Sequence, residues 1–347
     1  MWPELLAPLA PRLRSSFLRQ QPLHVRGAQP VAKKAQEALQ DLALFIDAGV
    51  LPAGAAEVVE NSWRSRPLPG PTMETAASRT VYANNAGLYL PGLAEFCLAA
   101  LKKLQWPTAA NAYCSAGPME VSVPPHTDRQ DVVVFQATGH KRWSVFHPPP
   151  VGDADPLRRG KDGDAALADL GEPLLDAVLE PGDILYVPLG FPHTTSTAAL
   201  EPSTHITLNL DSVIWGLSYR LLWASSLRNF RLRSGQADEA EEATCTKGMS
   251  WARYSSLQSP LPLGFGAEVD EAFITSELLS RAEVWHGAQG LSEVPEQQDV
   301  REALDMILGH RQRVLILHQQ MYADVMLGLS DKLPQEREAA GIQPGAP

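Results

Sequence analysis

Hydrophobic and polar positions follow two different periods along the chain. In residues 5–20, 33–48 and 91–106 the apolar side chains recur at helical spacing, and the last segment opens with Pro91, a residue favoured in the first turn of a helix. From residue 111 to residue 210, short apolar runs separated by turns replace this spacing. The pattern predicts helices on the N-terminal side and a core of strands in the middle of the chain.

The middle region contains six predicted strands. They begin at Asn111, His126, Asp131, Lys141, Asp183 and Thr204. Many short strands joined by tight turns are typical of an all-β barrel or sandwich, whereas regular alternation of strands and helices would indicate a parallel sheet. We therefore expect a mainly β core.

The flanking regions have a different character from the core. A short strand at residues 23–28 separates the first two helices, residues 49–80 read as a loop with strand fragments, and helical spacing returns after residue 210. Four regions follow: an N-terminal region that packs on the core at 1–110, the core at 111–211, a helical extension at 212–331, and a disordered tail at 332–347. Apolar stripes on appended helices usually pack on the core or on a second subunit, so the extension is a candidate for homodimerisation.

Composition and charge limit the function classes. The chain has 347 residues, 44% of them hydrophobic, which is sufficient for a sizeable core. Its net charge is −11 and its basic residues form no long cluster, so direct binding to nucleic acid is not expected. No apolar run approaches the ~20 residues that a membrane-spanning helix requires, so no membrane association is expected.

The cysteines and the N-terminal charges bear on the compartment. Cys97, Cys114 and Cys245 are widely spaced without a CxxC pair, which favours a reducing compartment over a disulfide framework. The first 35 residues carry six basic side chains and one acidic side chain, a bias that an organelle transit peptide or an ordinary first helix and strand would explain. We expect a cytoplasmic or nuclear protein and leave organelle targeting open.

A metal-binding pattern occurs within the predicted strands. His126 and Asp128 are two residues apart, so their side chains point to the same face of an extended segment. A third candidate ligand, His193, follows an apolar run and a Pro/Gly turn in residues 181–193. Two histidines and one carboxylate on one face of a metal leave the opposite positions open, which is the arrangement of the non-haem Fe(II) oxygenases.

His205 is the alternative third ligand, because its strand also alternates between polar and apolar positions. A histidine inside such a run can instead be a hydrogen-bonded core residue. His193 stands at a strand end after a turn, the position that strand-borne sites often use. We therefore favour His193 as the ligand.

Three further polar residues are predicted to line the same cavity. Alternation places Lys141 on one face of its strand with Trp143, where a buried lysine would need an anionic partner such as a dicarboxylate. The alternative is that Lys141 is exposed beside Arg142. Tyr113 and Asn111 share one face of an upstream strand and could supply a hydroxyl and an amide to the same ligand, although ordinary core or edge positions also explain them.

The segment from Asn111 to Asp211 resembles the Jumonji-C (JmjC) branch of the cupin family that includes the ribosomal oxygenases. The resemblance implies a double-stranded β-helix, or jelly-roll, core. It also implies that His126, Asp128 and His193 hold iron. Lys141, fifteen residues after the first ligand, matches the position where the family places a Lys or Arg against the distal carboxylate of 2-oxoglutarate.

Two further motifs carry the resemblance. Tyr113 corresponds to a tyrosine in an N-x-Y strand, with one extra residue between this strand and the HxD motif. Gly182 and Asp183 form the turn into the strand that ends at the third ligand. The family members are dioxygenases that use Fe(II), 2-oxoglutarate and O2 to hydroxylate a side chain of a protein, which is ribosomal in this branch. They commonly add a helical dimerisation region, which residues 212–331 resemble.

Two other functions remain open for this sequence. An N-methyl-lysine demethylase acting on histones would use the same site on a methyl carbon, although nothing in the sequence indicates an aromatic cage for methyl-lysine. A non-catalytic cupin module would bind a structural metal, or none, and recruit a partner through its helices. Such a module would need neither a dicarboxylate anchor nor open coordination positions.

Overall fold

Two antiparallel β-sheets face each other in the computed structural model of the chain, which describes residues 2–27, 29–47, 55–59, 66–67, 73–148, 170–197, 201–235, 250–286 and 293–328. The larger sheet has the order β1 (Leu23–Val25), β10 (Ile184–Val187), β7 (Asp131–Thr138), β12 (Ser203–Leu210), β5 (Thr108–Ser115), β4 (Thr80–Ala83), β2 (Ala56–Val59) and β3 (Arg66–Pro67). The smaller sheet has the order β6 (Val123–His126), β11 (His193–Ser196), β8 (Lys141–Val145) and β9 (Leu175–Leu179). The predicted double-stranded β-helix core is confirmed.

Along the chain, helices precede and follow the run of strands β5 to β12, and the N-terminal helices alternate with β1 to β4. On the N-terminal side they are α1 (Trp2–Leu6), α2 (Ala10–Arg19), α3 (Gln29–Leu39), α4 (Leu42–Asp47), α5 (Met73–Ala76) and α6 (Pro91–Leu104). On the C-terminal side they are α7 (Tyr219–Arg233), α8 (Trp251–Gln258), α9 (Glu271–His286) and α10 (Gln297–Met326). A reciprocal cap between Glu296 and Asp299 starts α10, which packs along α6 and α7. In the described ranges, none of these helices combines the length and apolarity needed to cross a bilayer.

The central strand β7 separates two hydrophobic clusters. Val133 and Phe135 belong to the larger cluster, where α6 covers the outer face of the sheet and contributes Phe96. Val132 and Val134 belong to a smaller cluster between the two sheets. Because adjacent strand residues point to opposite faces, the continuous apolar run supplies both clusters. The outer cluster holds the helices on the core, and the inner cluster fills part of the space that contains the site.

The strands predicted from the sequence do not include β9 and β11. β9 is an edge strand with an exposed Val178, and the four-residue β11 begins at His193. Such short, partly polar segments carry little local strand signal, since their stability comes from partners distant in sequence. The tail predicted at residues 332–347 lies outside the described residues, and the region boundaries stay predictions.

Asp183 joins the N-terminal segment to the core. Its carboxylate accepts hydrogen bonds from the backbone N–H of Gly27 at 2.8 Å and of Glu180 at 3.2 Å, and it lies 2.8 Å from His24 Nε2. These contacts fix β1 on the edge of the larger sheet beside β10. A Cβ atom on Gly27 would lie only 1.7 Å from the carbonyl oxygen of Gly182. The two chain segments can therefore meet only if residue 27 is glycine.

Gly27→Ala should destabilise the protein by about 1–3 kcal/mol, because the methyl group overlaps the Gly182 carbonyl unless β1 moves. Gly309→Ala in α10 is the matched control. Its nearest contact would be Arg313 Nη1 at 3.6 Å, so it should stabilise the protein by roughly 0.5–1 kcal/mol. Urea unfolding measures both effects. If the two variants were equally stable, the close packing at Gly27 would be wrong.

Candidate active site

A pocket lies between the two sheets. Its lining consists of Tyr113, Val123, His126, Asp128, Val132, Trp143, His193, Thr195, His205 and Thr207. Val132 and Trp143 also belong to the inner hydrophobic cluster, so one part of the pocket wall is apolar. The remaining wall carries hydroxyl, imidazole and carboxylate groups. A small ligand with both apolar and charged parts suits such a lining.

Three candidate metal ligands meet in this pocket. One ligand atom from each of His126, Asp128 and His193 lies within 4.8 Å of the other two, which makes them the one group of this kind among the described residues. Nε2 of His126 is 3.8 Å from Oδ1 of Asp128, and Nε2 of His193 is 3.4 Å from Oδ2. Ligands at right angles on an ion with bonds of about 2.1 Å stand roughly 3 Å apart. Small side-chain movements would therefore let the three residues share one ion.

Backbone carbonyl groups fix the other nitrogen of both imidazoles. Nδ1 of His126 lies 2.8 Å from the Pro124 oxygen, and Nδ1 of His193 lies 3.0 Å from the Phe191 oxygen. A carbonyl oxygen can only accept, so each Nδ1 carries the proton and each Nε2 presents a lone pair. This is the tautomer that a metal ligand requires. Two imidazoles and one carboxylate fit Fe(II) with open positions opposite the protein.

Strand pairing brings the ligands together. His126 is the last residue of β6, His193 is the first residue of β11, and the two are direct partners in the antiparallel ladder. The Gly190 N–H donates to the Asp128 backbone carbonyl at 3.1 Å and links the two ligand loops. Gly190 has a φ of 74°, which glycine adopts without strain. The HxD motif and the Pro/Gly turn are thus placed side by side by the β6–β11 register.

Asp131 supports the turn that leads to His193. Its Oδ1 accepts from the Tyr186 hydroxyl at 2.5 Å and from the Leu189 N–H at 3.1 Å. Its Oδ2 is buried and makes no hydrogen bond to the described residues. Burial raises the pKa of this carboxyl group to about 6. The carboxyl group that holds the turn is therefore buried with hydrogen bonds from the described residues to only one of its two oxygens, which disfavours its ionised form.

Asp131→Asn should reduce the pH dependence of stability. Because folding raises the pKa of Asp131 from 3.8 to about 6, the folded state holds the proton more tightly and the free energy of unfolding falls as the pH rises through this window. Across the whole window, this pKa shift lowers the free energy of unfolding by about 3 kcal/mol. The variant keeps an oxygen acceptor without titrating, so relative to the parent it should gain stability between about pH 4 and pH 7. Urea unfolding of variant and parent at about pH 4 and about pH 7 measures this gain. An equal difference in their free energies of unfolding at the two pH values would contradict the prediction.

Lys141 is fully buried on β8 and faces the same way as Trp143, which rules out the exposed alternative. Its Nζ donates to Ser115 Oγ at 2.6 Å, and no carboxylate among the described residues pairs with it. Burial lowers its pKa to about 7. Lys141 does not line the pocket, whereas His205 does. Burial lowers the pKa of His205, and the charge of Lys141 lowers it further. A positive charge next to the pocket therefore has no anionic partner among the residues that the structure describes.

Tyr113 lines the pocket between two other rings. It stacks on Tyr82 at 5.3 Å and on His205 at 4.8 Å between ring centroids, and burial raises its pKa. Asn111 hydrogen-bonds to Tyr113, accepts from the Asn85 N–H at 2.9 Å, and is not among the lining residues. The structure thus brings Tyr113 into the pocket and places Asn111 beside it. Direct contact of either residue with a ligand stays a prediction.

His205 lies in the pocket but outside the group of metal ligands. Its ring stacks on Tyr113 and meets the Trp143 ring edge to face at 5.5 Å. Burial, assisted by the charge of Lys141, lowers its pKa well below 6.5. Its Nδ1 has no hydrogen-bond partner among the described residues. His205 is therefore neither a ligand of the HxD group nor a fully hydrogen-bonded core histidine.

Two threonines of the lining are absent from the sequence predictions. Thr195 follows His193 by two positions on β11, and Thr207 follows His205 by two positions on β12. The period of two along a strand places each beside its histidine on the inner face. This alternation is the signal that could have identified them once the histidines were assigned to strands.

Residues 96–215 match a family model described as the JmjC domain. The bifunctional lysine-specific demethylase and histidyl-hydroxylase NO66 of Drosophila mojavensis is 38% identical over 126 residues, which are 36% of this chain and 14% of that protein. The same protein of Drosophila erecta is 37% identical over 126 residues, 36% of this chain and 19% of the relative. The matched segment thus spans less than a fifth of these relatives.

Solved structures of an Escherichia coli protein also resemble the chain. The crystal structure of ycfD is 16% identical, covers 84% of this chain and 71% of that chain, and has a TM-score of 0.43. The ribosomal oxygenase YcfD in complex with cobalt and 2-oxoglutarate is 14% identical, covers 85% of this chain and 70% of that chain, and has a TM-score of 0.40.

Proposed function

We propose, from the JmjC domain that this chain carries at residues 96–215, that the protein is an Fe(II)- and 2-oxoglutarate-dependent dioxygenase that hydroxylates a side chain of a protein substrate. The observation that carries the proposal is the convergence of His126, Asp128 and His193, in which the Nε2 atom of each imidazole lies within 4 Å of a different oxygen of the Asp128 carboxylate. Lys141, which is buried and has no anionic partner in the described part of the chain, stands close by. Together these groups suit a metal with open positions and a dianionic keto acid.

The residues of this chain would mainly place and shield the reactants. His126, Asp128 and His193 would hold Fe(II), which together with 2-oxoglutarate supplies the oxidation of a C–H bond by O2, with release of succinate and CO2. Lys141 would attract the far carboxylate of the keto acid, so that its keto end points to the metal ligands. The apolar side chains of Val132 and Trp143 would exclude water from the pocket.

The substrate that we propose is a basic protein, ribosomal by resemblance. The net charge of −11 favours encounters with a positively charged partner and disfavours nucleic acid. Curated relatives that share the domain are named histidyl-hydroxylases, so a histidine is the first target residue to examine. Incubation of ribosomal proteins with the enzyme, Fe(II) and 2-oxoglutarate, followed by peptide mass spectrometry, should reveal one added oxygen atom. Succinate without any modified peptide would exclude a ribosomal substrate.

Demethylation of N-methyl-lysine is the second candidate, because the same relatives are also named lysine-specific demethylases. Hydroxylation of a methyl group would release formaldehyde, whereas hydroxylation of a carbon chain leaves the oxygen on the substrate. Formaldehyde measured beside succinate therefore separates the two reactions. A non-catalytic module would bind a structural metal, or none, and would have no affinity for the keto acid.

The chain as a whole we propose to be cytoplasmic or nuclear and to form a homodimer through its C-terminal helices. Met306 and Ile316 on α10 are exposed apolar residues on the surface of that region. Light scattering of the purified protein, compared with a Met306→Glu/Ile316→Glu double variant, tests the dimer. A monomeric parent protein would exclude it.

A further inference from the structure

Two residues that line the pocket each carry a buried ring nitrogen without a hydrogen-bond partner among the described residues. These nitrogens are Nε1 of Trp143 and Nδ1 of His205, and no atom of the described residues bonds to either. Trp143 is 4% exposed and His205 is 1% exposed, so bulk water does not compensate for the missing bonds. Leaving a polar atom buried and unsatisfied costs stability. Such atoms call for an explanation, and a bound ligand that supplies the partner is one.

Both rings stand next to the groups that the proposed function uses. The Trp143 ring stacks on the His193 ring at 5.8 Å and meets His205 at 5.5 Å between centroids. Lys141 precedes Trp143 by two residues on the inward face of β8, and its charge acts on His205. An indole, an imidazole and an ammonium group thus come from both sheets toward one region.

The chemistry of the three groups is complementary to an anionic oxygen ligand. The indole N–H can only donate, the ammonium group can only donate, and a neutral imidazole donates through one nitrogen. A carboxylate accepts through two oxygens and roughly four lone-pair sites, so one group can satisfy all three. Hydrogen bonds to a charged acceptor are also stronger than those between neutral groups.

We propose that Trp143 Nε1 and His205 Nδ1 donate hydrogen bonds to the far carboxylate of the keto acid beside Lys141, and that they set the preference for a dicarboxylate over a monocarboxylate. This inference rests on the proposed function. Packing alone does not require these nitrogens, because a phenylalanine at either position could keep the ring contacts with His193 or Tyr113. The nitrogens therefore serve the ligand rather than the fold.

Calorimetric titration of the Mn(II)-loaded protein under nitrogen tests this without turnover. The ligands are 2-oxoglutarate and 2-oxobutyrate, which share the keto acid end and differ in the far carboxylate. Trp143→Phe and His205→Phe should each raise the Kd for 2-oxoglutarate about tenfold or more, because each removes a hydrogen bond to a charged group. The Kd for 2-oxobutyrate should hardly change. Trp251→Phe is the matched control, since Trp251 packs beside Tyr254 and does not line the pocket.

Thermal unfolding separates ligand binding from a structural role. Each phenylalanine variant removes an unsatisfied buried atom, so the free protein should melt at the parent temperature or above it. The added stability from a fixed excess of 2-oxoglutarate should shrink, since it depends on the Kd. His205→Asn places an amide near the position of Nδ1 and should recover part of the affinity.

The outcomes are distinct. Parent-like 2-oxoglutarate affinity in both phenylalanine variants would overturn the inference and leave the proposed function intact. Equal losses for both keto acids would also overturn it, because the nitrogens would then not recognise the far carboxylate. A parent protein that binds neither keto acid would overturn the proposed function together with this inference.

Discussion

His126→Ala is expected to abolish 2-oxoglutarate turnover and to release the metal. The change removes one of three protein ligands and leaves Asp128 and His193, whose ligand atoms are 3.4 Å apart, as the remaining pair. Losses of partners that merely orient a metal ligand already cost about 10- to 100-fold in affinity or activity, so loss of the ligand itself should exceed about 100-fold. Succinate formation and bound iron per chain measure the two effects.

The matched control for this change is His140→Ala. His140 is partly exposed, pairs with Glu201 at 3.0 Å, and lies outside the pocket lining. Its loss should leave both succinate formation and iron content at the parent level. Parent-like turnover in His126→Ala would contradict the assignment of the metal site, whatever the control shows.

Lys141→Met is expected to weaken 2-oxoglutarate binding strongly while stabilising the free protein. Removing one partner of a buried ion pair typically costs several kcal/mol, which corresponds to at least about a 100-fold higher Kd. In the absence of ligand, the substitution should instead raise the free energy of unfolding. The fully buried ammonium of Lys141 has only Ser115 Oγ as a hydrogen-bond partner among the described residues. Methionine has a similar length and needs no such partner.

The pH dependence of the free energy of unfolding shows where Lys141→Met should be more stable than the parent protein. Folding lowers the pKa of Lys141 from 10.5 to about 7. The unfolded chain therefore binds more protons between these values, and the free energy of unfolding of the free parent protein rises as the pH increases through that window. Lys141→Met should lose this rise and should exceed the parent in stability most clearly below about pH 7.

Exposed Lys102 on α6 provides the comparison for Lys141. Lys102→Met should change neither the Kd for 2-oxoglutarate nor the pH profile of unfolding. Calorimetry and urea unfolding at several pH values supply both data sets. A parent-like Kd in Lys141→Met would show that the keto acid does not use this charge.

The part of the site that could be predicted from the sequence is the part encoded by local spacing. The HxD pair needs only a period of two, and the apolar run before the Pro/Gly turn marks the strand that delivers His193. The inward direction of Lys141 follows from the same alternation and agrees with its complete burial. The antiparallel core follows from many short strands separated by turns.

The remainder depends on pairing between segments that are distant in sequence. The direct register of His126 with His193 arises from β11, a four-residue strand with little local signal. The stacking of Tyr113 on His205 results from their positions opposite each other on β5 and β12. The hydrogen bond from the Asn85 N–H to Asn111 is likewise invisible before the fold is known. Spacing in the sequence identifies candidate residues, whereas the pairing of distant strands determines which of these residues are in contact.

The unsatisfied nitrogens of Trp143 and His205 could not be anticipated from the sequence for the same reason. A tryptophan and a histidine on buried strands read as ordinary core residues, and most such side chains find a partner. Only the three-dimensional contacts reveal that neither nitrogen has a partner among the described residues, and that the charge of the buried Lys141 acts on His205. Buried nitrogens without hydrogen-bond partners destabilise the free protein, and we interpret them as partners for a bound ligand.

Anaerobic titration of the Fe(II)-loaded protein with 2-oxoglutarate tests the central claim most directly. If His126, Asp128 and His193 hold one iron with open positions beside the pocket, one keto acid per chain will chelate the metal and produce a visible charge-transfer absorption. His126→Ala will abolish that absorption, and Lys141→Met will shift its appearance to much higher keto acid concentration. Iron that binds without any change in absorption on adding 2-oxoglutarate, or an absorption that persists in His126→Ala, would contradict the account.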